Sequence, residues 1–359
     1  MDIATGQRFI KNKWEGRRNN DSRILGGKFL PLHLGHVYAI VQASTIVDEL
    51  YIVLSHSEKR DKELCKKVKM KYVESRVRLR WLHQLVKDMD HVKVIEIKDN
   101  YSNADYDWEE GSMAIKKRIG KPIDYVFSSE QEYESIFTKL YPESFHFLID
   151  EERNTVPISA TQIREEGVFK NWNFLPDVVK PHFVRKVVIV GTESCGKSTL
   201  TRNLAKIYNT SFVEEYGRTH CEKIGGCDGI MLEEDYPLIA YTHKVKEYEA
   251  IENANKIVFI DTEATVTQFY SELYNHQHQA VLDEMATLQD YDLCLYLEPD
   301  VKWVDDGLRN HGEQSLRLTN NNRLKQLLTD NNISFVPLTG DYNEKLNQSI
   351  EWIQRILKE

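Results

Sequence analysis

The chain has 359 residues, 41% of them hydrophobic, and a formal net charge of −9 at pH 7. This length predicts two domains, each large enough to bury a core, and the acidic charge argues against a broad surface for nucleic acid. Because no apolar run approaches the roughly 18 residues of a membrane span and the start of the chain is polar rather than signal-like, we expect a cytoplasmic protein with no membrane partner.

The five cysteines are spread along the chain, at Cys65, Cys195, Cys221, Cys227 and Cys294. Their number is odd and no two of them have C-x-x-C spacing. The sequence therefore predicts neither a disulfide framework nor a structural zinc site. The basic run at residues 59–71 is interpreted mainly as solvated surface.

After a polar lead of residues 1–22, the first half alternates apolar strand-like runs with longer amphipathic segments. Strands are predicted at 24–29, 50–54, 92–97, 124–128 and 145–149, and helices at 35–47, 71–87, 108–119 and 130–140. Such alternation predicts an α/β domain in which helices cover both faces of a parallel sheet.

The first predicted strand runs into a loop that contains Gly27, Lys28, Phe29, His33 and His36. Ligands of open parallel sheets bind at the carboxyl ends of the strands, so this loop is well placed to meet phosphate. Glycine lets the backbone approach a ligand closely, and lysine and imidazole supply donors. Taken alone, the His-x-x-His spacing fits a metal pair and a pair of helix-capping residues equally well.

A second element begins after Pro157, where a helix is predicted to start with Ser159, Thr161 and Arg164. Two hydroxyls at a helix N-terminus, with an arginine one turn on, fit either an anion site or an ordinary helix cap. Together with the first loop, this element resembles the adenylyl- and cytidylyltransferase superfamily.

That resemblance implies adenylyl transfer, in which both elements hold ATP while a substrate phosphate attacks the α-phosphorus and pyrophosphate leaves. It assigns the catalytic stabilisation of charge to Lys28, His33, His36 and Arg164. The further nucleotide contacts that it implies are Gly27, Phe29, Ser159 and Thr161.

Pro176 and Pro181 interrupt the pattern between the two halves, as expected for a linker. We place the first domain at 23–172, the linker at 173–184 and the second domain at 185–359. The second domain repeats the alternation, with strands predicted at 184–190, 257–261, 292–297 and 333–337 and a closing helix at 343–357. A second α/β domain with a parallel sheet follows.

Residues 191–198 form a complete G-x-x-x-x-G-K-[ST] loop directly after an apolar strand-like run. The spacing predicts a phosphate-binding loop at the start of a helix near Ser198. Lys197 would reach the β- and γ-phosphates, and Ser198 would ligate Mg²⁺. The predicted nucleotide contacts are Gly191, Glu193, Ser194, Cys195, Gly196, Lys197, Ser198 and Thr199.

Asp261 ends a predicted strand at the position where phosphoryl-transfer enzymes hold magnesium. Residues 212–218 follow the first helix of this domain and contain Glu215, Tyr216 and Arg218, which we assign to the acceptor substrate. Either Glu215 or Asp261 takes the proton of the attacking hydroxyl, and the sequence leaves that choice open.

Residues 303–312 form a polar segment typical of a flap that excludes water and brings arginine to the transferred phosphate. Within it, Trp303 and Asp306 are assigned to the substrate and Arg309 to catalysis and nucleotide binding. Arg317, just beyond, is assigned to the nucleotide.

With both halves considered, the chain resembles the family of bifunctional nicotinamide-mononucleotide adenylyltransferases and ribosylnicotinamide kinases, the NadR family. Beyond the generic motifs, the resemblance depends on Val47-Asp48-Glu49-Leu50, Arg78-Leu79-Arg80-Trp81-Leu82, Asp107-Trp108 with Gly111, Ile115-Lys116-Lys117, Val179-Lys180-Pro181 with Phe183-Val184-Arg185, Glu215-Tyr216-Gly217-Arg218, Phe259-Ile260-Asp261-Thr262, and Trp303 with Asp306-Gly307-Leu308-Arg309.

The resemblance implies a Rossmann-like nucleotidyltransferase domain followed by a P-loop kinase domain. Its reactions are phosphorylation of ribosylnicotinamide by ATP to nicotinamide mononucleotide, and transfer of AMP from a second ATP to give NAD. ATP is then a co-substrate and Mg²⁺ the cofactor. Trp108 would stack on the cationic nicotinamide ring, and the alternative is a half-buried tryptophan that only packs.

Enterobacterial members of the family carry an N-terminal helix-turn-helix domain. Here only about 22 residues precede the first predicted strand, which are too few for such a domain, so we expect no DNA partner. The oligomeric state stays open, a homo-oligomer included. Two other functions also remain open: a fusion that acts on another nucleoside or vitamin, and a regulatory protein that senses nucleotides.

Overall fold

The computed structural model describes residues 22–68, 70–99, 107–227, 229–301 and 314–358. The chain divides into two compact units, Met1–Val179 and Lys180–Glu359, and the division falls inside the segment 173–184. Within these described ranges, each unit has its own five-stranded parallel sheet, so the predicted pair of α/β domains is confirmed. Within the described ranges, no helix combines the length and the apolar character needed to cross a bilayer.

The sheet of the first unit has the strand order β3-β2-β1-β4-β5. Its strands are β1 (Ser22–Gly27), β2 (Glu49–His56), β3 (Val92–Lys98), β4 (Tyr125–Ser128) and β5 (Phe145–Leu148). β2 carries a continuous buried run from Leu50 to Leu54, as expected for a strand that is covered on both faces. The strand order reverses at β1, which pairs with both β2 and β4, so its carboxyl end opens at the point where such sheets bind ligands.

Six helices accompany this sheet within the described residues: α1 (Leu34–Thr45), α2 (Glu58–Lys66), α3 (Ser75–Leu85), α4 (Trp108–Ile119), α5 (Glu134–Leu140) and α6 (Ala160–Glu166). Short 3-10 turns occur at Gln131–Tyr133 and Trp172–Phe174. α2 lies inside the basic run that the sequence suggested to be solvated surface. Most of its residues are exposed, but Asp61 and Cys65 face inward and are buried, which corrects that interpretation for one face of the helix.

The sheet of the second unit has the order β10-β9-β6-β8-β7. Its strands are β6 (Arg185–Val190), β7 (Phe212–Val213), β8 (Ile257–Asp261), β9 (Leu293–Leu297) and β10 (Val336–Leu338). β7 is too short to predict from a pattern. β10 begins later than predicted because the backbone N–H of Ile333 still donates to the carbonyl of Leu328, at the end of the preceding helix.

Eight helices belong to the described part of this unit: α7 (Lys180–Phe183), α8 (Lys197–Tyr208), α9 (Tyr216–Ile224), α10 (Asp235–Glu252), α11 (Ala264–Asn275), α12 (Ala280–Thr287), α13 (Gln314–Asp330) and α14 (Tyr342–Lys358). One core cluster joins Ile189 of β6 and Leu295 of β9 to Leu204 of α8 and Ile353 of α14. The closing helix therefore covers the same face of the sheet as the helix that follows the phosphate-binding loop.

Candidate active sites

The loop between β1 and α1 forms the first candidate site. His33 is the N-cap residue of α1, and its backbone N–H donates to Nδ1 of His36 over 3.4 Å. The two imidazoles stack with ring centroids 3.7 Å apart. A Cβ atom on Gly35 would lie 3.0 Å from Nδ1 of His33, so the glycine makes room for this ring. Of the two meanings left open for the histidine pair, the capping geometry is the one observed.

Both histidines are uncharged at neutral pH. Burial, reinforced by the cations of Arg153 and Arg164, lowers the pKa of His33 to about 3. Burial also lowers the pKa of His36 well below its usual value, with His33 and the same arginines adding to the effect. Each imidazole can therefore offer a ligand one N–H and no full charge. The positive charge of this site must come from other side chains.

Arg164 brings the two sequence motifs of the first unit together. Its Nη1 donates to the carbonyl oxygen of Leu30 over 2.7 Å, and its Nη2 donates to the hydroxyl of Thr161 over 2.8 Å. The hydroxyl of Ser159 caps α6 by accepting from the N–H of Gln162. The loop after β1 and the start of α6 thus meet as predicted, with both hydroxyls already bonded within the protein.

Lys28 contacts a buried ion pair between Arg78 and Asp61. Nη2 of Arg78 donates to Asp61 over 2.6 Å, and both side chains are fully buried. Nη1 of Arg78 donates to the carbonyl oxygen of Lys28 over 2.8 Å, and Nζ of Lys28 lies 3.7 Å from Asp61. Burial lowers the pKa of Lys28, while Asp61 opposes that shift. Asp61 and Arg78 were not assigned to the site from the sequence, where nothing distinguishes Arg78 from its exposed neighbours.

Two aromatic residues of the first unit, Phe29 and Trp108, are also predicted to contact ligands. The ring of Phe29 is buried, with its centroid 4.9 Å from that of His36. A Cβ atom on Gly27 would lie 3.2 Å from the Phe29 ring, so the ring packs under the loop. Trp108 is partly buried and its ring lies 5.2 Å from that of Tyr133 and 5.9 Å from that of Phe137. This aromatic cluster anchors the start of α4.

The second candidate site is the loop between β6 and α8. Gly191 and Gly196 have φ angles of 148° and 97°, and a Cβ atom on Gly196 would lie 2.6 Å from the ring of Tyr342. Only glycine suits these positions. In loops of this motif, successive backbone N–H groups form a concavity that binds anions. Lys197 is buried and donates to the carbonyl of Thr192 over 3.0 Å.

Electrostatics favour the charged form of Lys197. Burial alone would lower its pKa, but the net shift is upward because Cys195, Glu215, Asp261 and Glu193 surround it. The lysine is therefore a fixed cation at neutral pH. A cation held this way is suited to neutralise the oxygens of a transferred phosphate.

Asp261 lies at the carboxyl end of β8 beside the hydroxyls of Ser198 and Thr262. Burial and the nearby Glu215 raise its pKa to about 6, against the opposing effect of Lys197. Its Oδ2 atom is buried and, among the described residues, has no hydrogen-bond partner. A hydroxyl next to an unsatisfied carboxylate oxygen is a donor set that Mg²⁺ prefers, so the residues fit the predicted metal.

A cavity of about 250 Å³ opens beside the phosphate-binding loop. Glu215, Tyr216 and Arg218 line it together with the loop, whereas the adjacent Glu214 faces outward and pairs with Arg202. Of these two adjacent acids, Glu215 is thus the one that lines the cavity. Thr199 also lines this cavity. Trp303, Asp306 and Arg309 lie outside the described residues.

Arg317 does not line that cavity. It lines a much smaller one, of about 10 Å³, together with Thr192 and Glu193, and its Nη2 donates to the carbonyl oxygen of Val301. Glu193 itself accepts from the hydroxyl of Tyr274 over 2.6 Å. Arg317 therefore lies next to the phosphate-binding loop, on the side of Thr192 and Glu193.

Several residues that line the cavity beside the phosphate-binding loop were not predicted. They come from α9 to α11 and the segments around them, and include Cys221, Cys227, Met231, Tyr236, Ile239, His243, Thr267, Tyr270 and Tyr274. Aromatic and apolar residues dominate this set, as expected for a site that takes a ring-bearing small molecule. Their helices carry apolar residues on several faces, so the sequence did not mark which of them face the site.

The structure corrects one expectation about the cysteines. Cys221 and Cys227 form a disulfide, with Cα atoms 5.2 Å apart, whereas Cys65, Cys195 and Cys294 are buried free thiols. The two bonded residues are close in sequence and α9 ends between them at Ile224, with Gly225 as its C-cap residue, which brings their side chains together. No group of three or more metal-ligating side chains occurs within the described ranges.

Comparison with known proteins extends over both units. A cytidylyltransferase-like family model matches residues 24–166, and an AAA-domain model matches residues 186–345. The trifunctional NAD biosynthesis/regulator proteins NadR of Salmonella typhimurium and Escherichia coli are each 34% identical to the chain over 351 residues, which is 96% of this chain and 85% of the relative.

Solved structures give the same result for the fold. A NadR protein in complex with NR is 25% identical, with a TM-score of 0.79, and the match covers 95% of this chain and 97% of that chain. A NadR protein in complex with NAD and AMP-PNP is 24% identical over the same shares of both chains, with a TM-score of 0.75. Both candidate sites thus lie within the regions of similarity.

Proposed function

Because the chain belongs to the NadR family, we propose that it converts ribosylnicotinamide into NAD in two ATP-dependent steps. The second unit phosphorylates ribosylnicotinamide to nicotinamide mononucleotide. The first unit then transfers AMP from ATP to the mononucleotide and releases pyrophosphate. The single observation that supports this proposal best is that each unit has a buried cationic side chain, Arg164 or Lys197, bonded to the loop that follows its central strand.

In the kinase step, Lys197 neutralises the transferred phosphate and the amides of residues 191–198 hold its neighbours. Ser198 and Asp261 would hold Mg²⁺, which supplies charge neutralisation on the phosphate oxygens when bound. With Asp261 engaged by Ser198, Glu215 is the carboxylate left to take the proton of the attacking ribose hydroxyl.

In the adenylyl-transfer step, an oxygen of the mononucleotide phosphate attacks the α-phosphorus of ATP and pyrophosphate leaves. Lys28 and Arg164 supply positive charge, and the uncharged His33 and His36 donate N–H groups to oxygens on which negative charge builds up. No covalent intermediate with the protein is needed. Positioning and charge stabilisation are sufficient for this chemistry.

The remaining assignments stay proposals that depend on the family resemblance. Trp108 would contact the nicotinamide ring of the mononucleotide, and its aromatic neighbours hold it in place. Tyr216 and Arg218 would contact ribosylnicotinamide, together with Trp303 and Asp306, and Arg309 and Arg317 would contact the nucleotide. The remaining nucleotide contacts are proposed at Gly27, Phe29, Ser159, Thr161, Gly191, Glu193, Ser194, Cys195, Gly196 and Thr199.

The test is to incubate the purified protein with ribosylnicotinamide, ATP and Mg²⁺ and to identify the products by mass spectrometry. We expect nicotinamide mononucleotide, ADP, NAD and pyrophosphate. Parallel incubations with other nucleosides test whether the kinase site prefers a different acceptor. Absence of any turnover, with nucleotides still bound, would instead favour a sensing role.

A further inference from the structure

Thr262, directly after Asp261, adopts an unusual backbone conformation. Its φ angle is 79°, and it is the only β-branched residue with a positive φ within the described ranges. For a β-branched side chain the left-handed region is a genuine outlier, because Cβ crowds the neighbouring carbonyl. Such strain persists only where the surroundings hold it, and it clusters at functional sites.

Two hydrogen bonds hold this residue from opposite sides. Its N–H donates to the carbonyl oxygen of Ile189 on β6 over 3.0 Å. Its own carbonyl oxygen lies 3.1 Å from Nε2 of His243 on α10. Because a carbonyl can only accept, Nε2 of His243 carries the proton. His243 is buried and lines the cavity of the kinase site.

The backbone conformation at Thr262 sets the orientation of the adjacent residues Asp261 and Glu263. On one side, Asp261 lies beside Ser198 of the phosphate-binding loop. On the other, Glu263 is the N-cap residue of α11 and accepts from the N–H groups of Thr265 and Val266. The chain thus passes within two residues from Asp261, which is paired with Ile189 in the sheet, to a helix. A different φ at Thr262 would strain this junction and shift the carboxyl end of β8, where Asp261 lies beside Ser198.

We propose that His243 is a positioning residue for phosphoryl transfer, because its hydrogen bond to Thr262 fixes the strained turn that aims Asp261 at the phosphate-binding loop. The role given to Asp261 depends on the proposed kinase function, but the dependence of the turn on His243 does not. Burial keeps the His243 imidazole neutral by lowering its pKa, although Glu247 and Glu215 oppose that shift. A neutral ring with Nε2 protonated is the form that the bond requires.

The first experiment compares His243→Ala, His243→Gln and His220→Ala in the full chain. The His243→Ala variant should lose roughly tenfold or more in kinase kcat and require more Mg²⁺ for half-saturation, the size expected when catalytic groups are displaced slightly. His243→Gln can still donate to Thr262 and should keep most of the activity. His220 is a matched control, since it is also a buried histidine of this unit but is bonded to Asp235, 2.8 Å away; its alanine variant should keep kcat.

The second experiment removes the backbone strain at residue 262 by replacing Thr262 with glycine. Glycine adopts a positive φ without crowding, so adding Thr262→Gly to His243→Ala should restore kcat to within about threefold of the Thr262→Gly protein. Thr262→Ala also removes the hydroxyl but keeps a Cβ atom, so the corresponding double variant should stay impaired. Equal recovery by glycine and alanine would overturn the proposal, as would a His243→Ala protein with unchanged kcat and Mg²⁺ dependence.

A third measurement does not use the kinase reaction. Hydrogen–deuterium exchange of the peptide that spans residues 257–266 should be faster in His243→Ala than in the unmodified chain and in His220→Ala, since the turn is released. Unchanged exchange would overturn the proposal even if kcat fell. If the unmodified chain does not phosphorylate ribosylnicotinamide, the proposed function fails while this measurement still decides the role of His243. NAD synthesis from supplied mononucleotide reports whether the first unit remains folded in every variant.

Discussion

The first candidate site consists mainly of side chains, whereas the second combines the side chain of Lys197 with a loop that is shaped by glycines. Around β1, the donors are Lys28, His33, His36 and Arg164. The lysine and the arginine contact another part of the unit, whereas the two histidines are bonded to each other. Around β6, the positive φ angles of Gly191 and Gly196 shape a loop of the motif that holds phosphate with backbone N–H groups. The difference teaches that two parallel sheets of similar build can bind phosphate by means that are sensitive to different mutations. The first site depends on the packing beneath its donors. The second depends on a few backbone angles and one lysine.

The largest expected effect comes from Lys197→Ala. It removes the cation at the transferred phosphate, so phosphorylation of ribosylnicotinamide should fall by roughly 10²- to 10³-fold. NAD synthesis from supplied mononucleotide should stay within about twofold of the unmodified chain. Steady-state assays of both reactions on one preparation are the measurement. If both activities disappear in a folded variant, the two sites are not independent.

A substitution in the buried ion pair beneath the first candidate site should lower the stability of the first unit alone. Arg78→Leu removes the buried partner of Asp61 and leaves only the more distant, half-exposed Lys28, and breaking a buried pair costs about 3–5 kcal/mol. Urea inactivation should therefore shift to lower concentration for adenylyl transfer but not for the kinase reaction. Arg80→Leu, at an exposed position on the same helix, is the control and should leave both midpoints in place. A shared shift would show that the units unfold together.

The third expected effect concerns a donor of the first site. His36→Ala removes an N–H that would stabilise the reacting phosphates, so kcat for NAD formation should fall by roughly 10²-fold with a smaller change in KM. The kinase reaction should be unaffected. Near-normal kcat in this variant would remove His36 from the mechanism and move the main role to Lys28 and Arg164.

The smallest effect is a difference in pH dependence. The pKa of Asp261 is raised to about 6, so below that pH the carboxyl is protonated and protons compete with Mg²⁺. The Mg²⁺ concentration for half-maximal kinase activity should therefore increase as the pH falls from 7.5 to 5.5. The pKa of His33 is lowered to about 3, so its imidazole stays neutral over that range and should contribute no such change to adenylyl transfer. Mg²⁺ titrations of the kinase reaction and of adenylyl transfer, each at several pH values, measure this difference.

The parts of this molecule that could be predicted are those set by local pattern. The buried run Leu50–Leu54 and the strand before residue 191 are continuous apolar segments, which indicate strands covered on both faces. The phosphate-binding loop follows from its glycine spacing, because positive φ angles at fixed positions leave few alternatives to glycine. The first candidate site, in contrast, is predicted from the position of its loop after a strand and from the family resemblance of its two motifs.

The parts that could not be predicted depend on partners distant in sequence. Arg78 and Asp61 are buried only because each compensates the charge of the other, and charged residues in amphipathic helices are ordinarily exposed. His243 and Thr262 lie nineteen residues apart, and nothing in the local sequence around Thr262 indicates a positive φ. Tertiary contacts decide such positions, so they are visible only once the helices are packed.

Each sheet is assembled from one uninterrupted stretch of the chain, since all strands of the first lie before Val179 and all strands of the second after it. This has a consequence during synthesis on the ribosome. The first unit has every strand it needs before Lys180–Glu359 is translated, an interval of roughly ten to forty seconds at cellular elongation rates of about 5–20 residues per second. That interval exceeds the folding time of most single domains, so the nascent amino-terminal half can bury its core before the strands of the second sheet emerge to compete for pairing.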